Sequence, residues 1–163
     1  MKKMYDWTRA QGLTRNNPFE AVTRPRVGGR TIAYVPSVHA VERLLQQPDT
    51  QQHLGIRDRA CLELLYGAGI RARELLNIRL RDLNLKDQYV IVKGKGGHER
   101  LAIFGGAAQY WLGQYLVVRA SIPSTTGIAG RHQLFIHRRG AMNYDMLRAM
   151  IRFYAARADR KST

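Results

Sequence analysis

The chain has 163 residues, 45% of them apolar, and a formal charge of +15 from 27 Lys and Arg against 12 Asp and Glu. That length suits one domain, or one domain with part of another, and the apolar content excludes a disordered basic tail. No apolar run approaches the ~20 residues of a membrane helix, no secretory core opens the chain, and a single cysteine excludes both an internal disulfide and a Cys-rich zinc site. Cys61 stands in an apolar stretch and reads as a small core hydrophobe. These features favour a soluble intracellular, cytoplasmic protein; no cofactor and no membrane partner are expected.

Residues 1–11 read as the end of a helix, with Tyr5 and Trp7 as its bulky packing residues and Gly12 as its C-cap. Asn16-Asn17-Pro18 is turn chemistry. Residues 23–36 hold Pro25, Gly28, Gly29 and Pro36 among Arg24, Arg26 and Arg30, the composition of a basic linker at a domain boundary. Ser37 is a suitable N-cap for a helix whose apolar face is Val38, Val41, Leu44 and Leu45, and Pro48 ends it. A second helix is predicted from Leu54 to Ala68, with Cys61, Leu64, Leu65 and Ala68 on one face, and a short helix from Arg71 to Asn77.

Gln88 to Val92 is a predicted strand, Lys93-Gly94-Lys95-Gly96-Gly97 a glycine-rich turn, and Glu99 to Phe104 the return strand. Residues 106–120 form a helix with Ala108, Trp111, Leu112, Tyr115 and Val118 in register. Residues 123–130 are a loop, and Leu134-Phe135-Ile136 a short apolar strand. Leu147, Met150, Ile151, Tyr154, Ala155 and Ala158 make an amphipathic stripe on a last helix. Tyr66, Tyr115 and Tyr154 lie on apolar helix faces and read as core, and Trp111 as packing. The class is mainly α with a small antiparallel β-sheet, without internal repeats.

The charge is unevenly placed. Residues 1–36 carry seven basic residues against two acids, residues 71–100 eight against four, and residues 131–163 eight against two. The segments between hold four basic and four acidic residues in all, with much of the apolar material. Three basic blocks that converge on one face would meet phosphates; the alternative is a generally basic surface, and charge does not separate DNA from RNA.

Two glycine-linked features carry candidate chemistry. In Gly69-Ile70-Arg71-Ala72-Arg73-Glu74 an arginine opens a helix just after a glycine turn. There a guanidinium, free backbone N–H groups and the positive end of the helix dipole together suit a phosphate oxygen. Gly94-Lys95-Gly96-Gly97 is not a phosphate-cradling P-loop, because His98-Glu99-Arg100 and a strand follow it instead of Ser or Thr and a helix. It reads as a hairpin tip that carries a lysine. An ordinary surface arginine and a solvated hairpin tip are the alternatives for each feature taken alone.

Taken together, 24 residues apart and joined by a helix and a strand, they become specific. Residues 54–104 resemble the tyrosine recombinase (phage integrase, Xer-like) family. The resemblance rests on Leu54-Gly55-Ile56-Arg57-Asp58-Arg59-Ala60, Glu63-Leu64-Leu65-Tyr66, Gly69-Ile70-Arg71, Glu74-Leu75, Asp82-Leu83, Val92-Lys93-Gly94-Lys95-Gly96-Gly97 and Glu99-Arg100-Leu101. Residues 5–18 resemble the last helix of the family's core-binding domain, and residues 134–158 the strand and helix before its C-terminal catalytic box. The resemblance implies three segments: 1–22 as the end of a core-binding, SAM-like domain, 23–36 as a basic interdomain linker, and 37–163 as the N-terminal half of a catalytic domain. It implies double-stranded DNA as partner and strand exchange through a phosphotyrosyl link without a metal.

By that resemblance Arg71 is the first catalytic arginine, which neutralises charge on the scissile phosphate. Lys95 protonates the departing 5′-oxygen, and Glu74 orients the arginine or its helix. Arg24, Arg26, Arg30, Arg73, Lys93, Arg100, Arg138 and Arg139 are the candidate DNA-contacting cations. Arg73 replaces the family's usual small serine, and Ile103 a common proline.

None of His39, His53, His98, His132 and His137 has an arginine three residues on, so the family's His-x-x-Arg box is missing. None of the eight tyrosines has the context of the nucleophile. The expectation is a recombinase truncated at both ends that keeps DNA affinity and half an active site without catalysis of its own. The alternative is an accessory or inhibitory module that binds DNA or a full-length recombinase protomer. A generic RNA-binding protein fits the Arg71–Lys95 spacing poorly. A last expectation is self-association, because the stripe on the final helix would lack its usual cover.

Overall fold

A computed structural model describes residues 1–22, 35–122, 132–138 and 140–160, apart from the side chains of Lys95 and Arg160. The chain divides into two compact units, Met1–Val35 and Pro36–Thr163. In the first unit, helix α1 (Lys2–Ala10) ends in a Schellman motif: the Gly12 N–H donates to Arg9 O at 3.0 Å and the Leu13 N–H to Thr8 O at 2.9 Å. Gly12 supplies the left-handed conformation this needs, at φ 70°. Asn17 then builds the predicted turn. Its amide donates to Asp6 Oδ1 at 2.7 Å and its Oδ1 accepts from the Phe19 N–H at 2.9 Å. Tyr5 packs against Phe19, with ring centroids 5.5 Å apart. Trp7 differs from expectation: it is 60% exposed on α1 rather than a packed residue of the core.

The second unit holds α2 (Val38–Leu45), α3 (His53–Ala68), α4 (Ala72–Asn77), α5 (Gly106–Arg119) and α6 (Tyr144–Arg160). A three-stranded antiparallel meander of β1 (Leu83–Asn84), β2 (Tyr89–Lys93) and β3 (Glu99–Ile103) lies between α4 and α5, and β4 (Ile136–His137) pairs with β5 (Gly140–Ala141). Ser37 caps α2 by accepting from the Ala40 N–H at 3.2 Å. Gly69 ends α3 in the left-handed region.

Helix α3 is the centre of the core and is covered nearly all round. Ala60, Cys61, Leu62 and Leu64 are buried, and so are Arg57, Asp58 and Glu63. Burial pushes the Cys61 thiol pKa up, which suits an inert core residue. Leu112 and Tyr115 of α5 pack within the same core, where Tyr115 stacks on Phe135 at 5.4 Å. The Tyr115 hydroxyl donates to Leu134 O and accepts from the Ile136 N–H, and burial raises its pKa to about 12. Val90, Val92 and Ala102 turn the inner face of the sheet into the core.

Some expectations shift. Leu134 and Phe135 are buried but precede the strand, which begins at Ile136: the Leu134 carbonyl serves the Tyr115 and Arg119 side chains, and the Phe135 carbonyl accepts from the Met142 N–H just after β5. Tyr66 is 52% exposed near the end of α3 and is not a core residue. The stripe on α6 is covered within the chain: Leu147, Met150, Tyr154 and Ala158 are buried, and Ile151 and Ala155 partly so. The uncovered apolar surface on which self-association was expected is therefore absent from these residues. The predicted linker at 23–34 and the loop at 123–130 lie outside the described residues.

Candidate nucleic-acid interface

Arg71 takes the N-cap position of α4 with extended backbone, φ −76° and ψ 152°, so its side chain leaves the helix before the first turn closes. Three residues on, Glu74 folds back beneath it. Its Oε2 accepts the Arg71 backbone N–H at 2.9 Å and its Oε1 accepts Arg71 Nη1 at 2.9 Å. The Arg71 amide is thus already taken, while its guanidinium stays largely exposed.

Glu74 also reaches β3, where Arg100 Nη2 donates to Oε2 at 3.0 Å. The carboxylate is 4% exposed, while the side chains of Arg71 and Arg100 are 78% and 43% exposed. The anion therefore lies below and the two cations face solvent. The Arg71 amide holds the Glu74 pKa below the usual carboxylate range, against the cost of burial, and the Arg71 and Arg100 guanidiniums add to this.

The wall opposite Arg71 is the β2–β3 hairpin. Lys93 pairs with Glu99 in register at its base, and Lys93 Nζ lies 2.8 Å from Glu99 Oε1, which lowers the Glu99 pKa. The Gly94 N–H donates to His98 O at 2.8 Å, and a tight turn over Lys95–Gly97 closes the tip. Gly96 and Gly97 both adopt positive φ, 84° and 80°, so the turn needs glycine twice in succession. Arg71, Arg73, Glu74, Asn77, Lys93 and Gly94 line a cleft of about 480 Å³.

The fold therefore brings together Arg71, Arg73, Glu74, Lys93 and Arg100, with Lys95 at the first position of the hairpin turn and its side chain outside the described structure. Arg138 is exposed on a second cleft, beside Asp49, His53, Asp58 and Tyr154. Arg24, Arg26, Arg30 and Arg139 lie outside the described residues. Tyr154 is buried, and burial together with the Asp58 carboxylate pushes its phenol pKa up, which opposes formation of a phenolate. Among the described residues no cluster of His, Cys, Asp and Glu could hold a metal ion, and no helix is long and apolar enough to cross a membrane.

Two relationships were not read from sequence. One is the bond from Arg100 to Glu74, 26 residues apart, which no local spacing announces. The other is the buried set of Arg57, Asp58 and Tyr154, in which Arg57 and Asp58 form an ion pair and Tyr154 donates to Asp58. Adjacent opposite charges inside an otherwise apolar helix were the available signal for it.

Residues 37–163 match the phage integrase family. The tyrosine recombinase XerC of Vibrio cholerae is 36% identical over 140 residues, 86% of this chain and 43% of that protein. XerD of Ralstonia nicotianae is 32% identical over 160 residues, 97% of this chain and 51% of that protein. The chain thus spans about half the length of these relatives. Among solved structures, the XerA recombinase superposes with a TM-score of 0.66 at 25% identity, covering 79% of this chain and 44% of that one. The Tn1549 transposon integrase in complex with circular intermediate DNA gives 0.62 at 16% identity, covering 98% and 55%. With its fold, its hairpin and a family match over more than three-quarters of its residues, the chain belongs to the phage integrase family of tyrosine recombinases.

Proposed function

We propose that this chain supplies the arginine–lysine half of a site-specific DNA recombinase active site and binds duplex DNA through it. The observation that carries the reading is the buried Glu74 carboxylate, which holds Arg71 at the mouth of a cleft walled by the Lys95 hairpin. In this reading Arg71 neutralises charge on the scissile phosphate as the phosphorane forms, and Lys95 gives its proton to the departing 5′-oxygen. Arg73, Lys93, Arg100, Arg138 and the arginines at 24, 26, 30 and 139 add phosphate contacts that set register without reading sequence. Residues 1–22 act as the end of a core-binding domain, 23–36 as the linker, and 37–163 as part of the catalytic domain. The division between Val35 and Pro36 and the family match from residue 37 support those bounds. Solved structures of the same fold in complex with DNA support a DNA partner, and the working place in this reading is the cytoplasm.

The chemistry also needs a nucleophilic tyrosine. Tyr115 and Tyr154 are buried with raised phenol pKa values, and no tyrosine has the family context. This chain is therefore proposed to bind without cleaving unless a second protomer of the family supplies the rest.

Titration of duplex DNA at several salt concentrations tests the binding. The expectation is a dissociation constant of roughly 10⁻⁴–10⁻⁶ M at physiological salt that weakens steeply as salt rises. A salt-independent affinity would rule out phosphate contacts. A nicked suicide duplex run on a denaturing gel tests the chemistry. No covalent band is expected, and a band abolished by one Tyr→Phe change would overturn the non-catalytic reading.

A further inference from the structure

The β2–β3 hairpin has little of its own to hold its tip in place. Residues 96–100 are all exposed, so no buried side chain anchors the turn. Two backbone bonds close it, Gly94 N–H to His98 O at 2.8 Å and Gly97 N–H to Gly94 O at 3.3 Å. The Lys93–Glu99 pair at its base is more than half exposed on both sides, and such pairs contribute little. Yet Lys93 and Gly94 form one wall of the cleft that holds Arg71, and Lys95 follows them directly.

Arg100 is the second residue of β3 and sits opposite Val92 in the ladder. Its Nη2 crosses to Glu74 Oε2, the oxygen that also accepts the Arg71 amide. The backbone of the hairpin comes close at the same point, since a Cβ on Gly94 would lie 3.9 Å from Glu74 Oε1. Glu74 is anchored by burial, so it can serve as a fixed post where an exposed acid could not.

We infer that Arg100 is a positioning residue: by bonding the same buried carboxylate that holds Arg71, it ties the lysine-bearing hairpin to the Arg71 cleft. One guanidinium thereby sets the spacing between two candidate catalytic groups on separate elements. The functional sense of this rests on the cleft being the phosphate site, but the tether itself is a property of the free protein. A planar guanidinium suits the role better than an ammonium, because its donors are held in a fixed geometry while the ammonium is a compact, strongly hydrated point charge.

The test is amide hydrogen exchange on the DNA-free full chain. Arg100→Ala is expected to speed exchange at Gly94 and Gly97 about tenfold, with α3 amides unchanged, because a charge-assisted bond that closes the hairpin is lost. Arg100→Lys should recover part of that protection, and Glu74→Gln should reproduce the loss if Arg100→Ala does not fold. Unchanged exchange at both glycines in a folded Arg100→Ala or Glu74→Gln protein overturns the inference. A duplex titration then separates tether from phosphate contact. Arg71→Ala and Arg100→Ala should be non-additive by about threefold when they share one carboxylate. Strict additivity, with exchange unaltered, would make Arg100 a simple phosphate contact. Failure of the wild type to bind DNA would remove the functional reading and leave the exchange result standing.

Discussion

Tyr154 of α6 donates a 2.9 Å hydrogen bond to Oδ2 of Asp58 on α3, 96 residues earlier in the chain, and both side chains are buried. Asp58 is also paired with Arg57, whose Nη1 donates to Ile136 O at 3.2 Å. The buried Arg57–Asp58 pair thus links α3 to α6 through the acid and to β4 through the guanidinium. Tyr154→Phe keeps the ring and removes one donor to a charged acceptor, so a loss of about 1.5–3 kcal/mol is expected. Urea unfolding measures it. A loss below about 0.5 kcal/mol would mean that Arg57 alone satisfies the carboxylate.

Met150 lies one turn before Tyr154 and is 9% exposed. Because the α6 stripe packs on its own chain, Met150→Glu should unfold the protein rather than disperse an assembly. The expected cost is about 2–4 kcal/mol for placing an unpaired acid in an apolar contact. Thermal melts with light scattering at two concentrations check this. A variant as stable as wild type but smaller in solution would show that the stripe is an interface between copies.

Glu74 gives a pH dependence with a definite sign. Its folded pKa lies below its ordinary 4.5, so the unfolded chain binds the proton more readily. The stability it contributes is complete above about pH 4.5 and is lost as pH falls through the lower folded value. Glu74→Gln cannot titrate, so it should be less stable near neutral pH and should narrow its deficit on acidification. Denaturation midpoints at stepped pH from neutral to strongly acidic read the difference. A deficit that stays constant with pH would show that Glu74 acts by shape alone.

The sequence carried the helices whose faces repeat regularly and the hairpin whose glycines force a turn. Ser37, Gly69 and the Gly96-Gly97 pair act locally, and local chemistry is legible in one dimension. Glu74 under Arg71 was also legible, since three residues span one helical turn. What was hidden depends on distant partners. The exposure of Trp7 and Tyr66 follows from which face of a helix finds cover, and a bulky residue looks the same in either case. The cover on the α6 stripe is hidden for the same reason: its amphipathic pattern says that a partner exists, and only the fold shows that α2 and α4 of this chain supply part of it.

Three glycines separate backbone conformation from space, and the same change to alanine should act differently at each. Gly113 lies inside α5 with open space around its Cβ direction, so Gly113→Ala should stabilise by about 0.5–1 kcal/mol through helix propensity. Gly97 also faces open space, but at φ 80°, so Gly97→Ala should cost about 1 kcal/mol from backbone strain alone. Gly55 differs from both. It is helical, yet a Cβ there would run into the backbone carbonyl of Asp49, and backbone cannot withdraw as a side chain can. Gly55→Ala should therefore cost roughly 3 kcal/mol or more, or force the 49–52 turn away from α3. Urea midpoints at constant m-value rank the three. If Gly55→Ala proved no worse than Gly97→Ala, the packing of the Asp49 turn on α3 would have to be looser than the close approach at Gly55 requires.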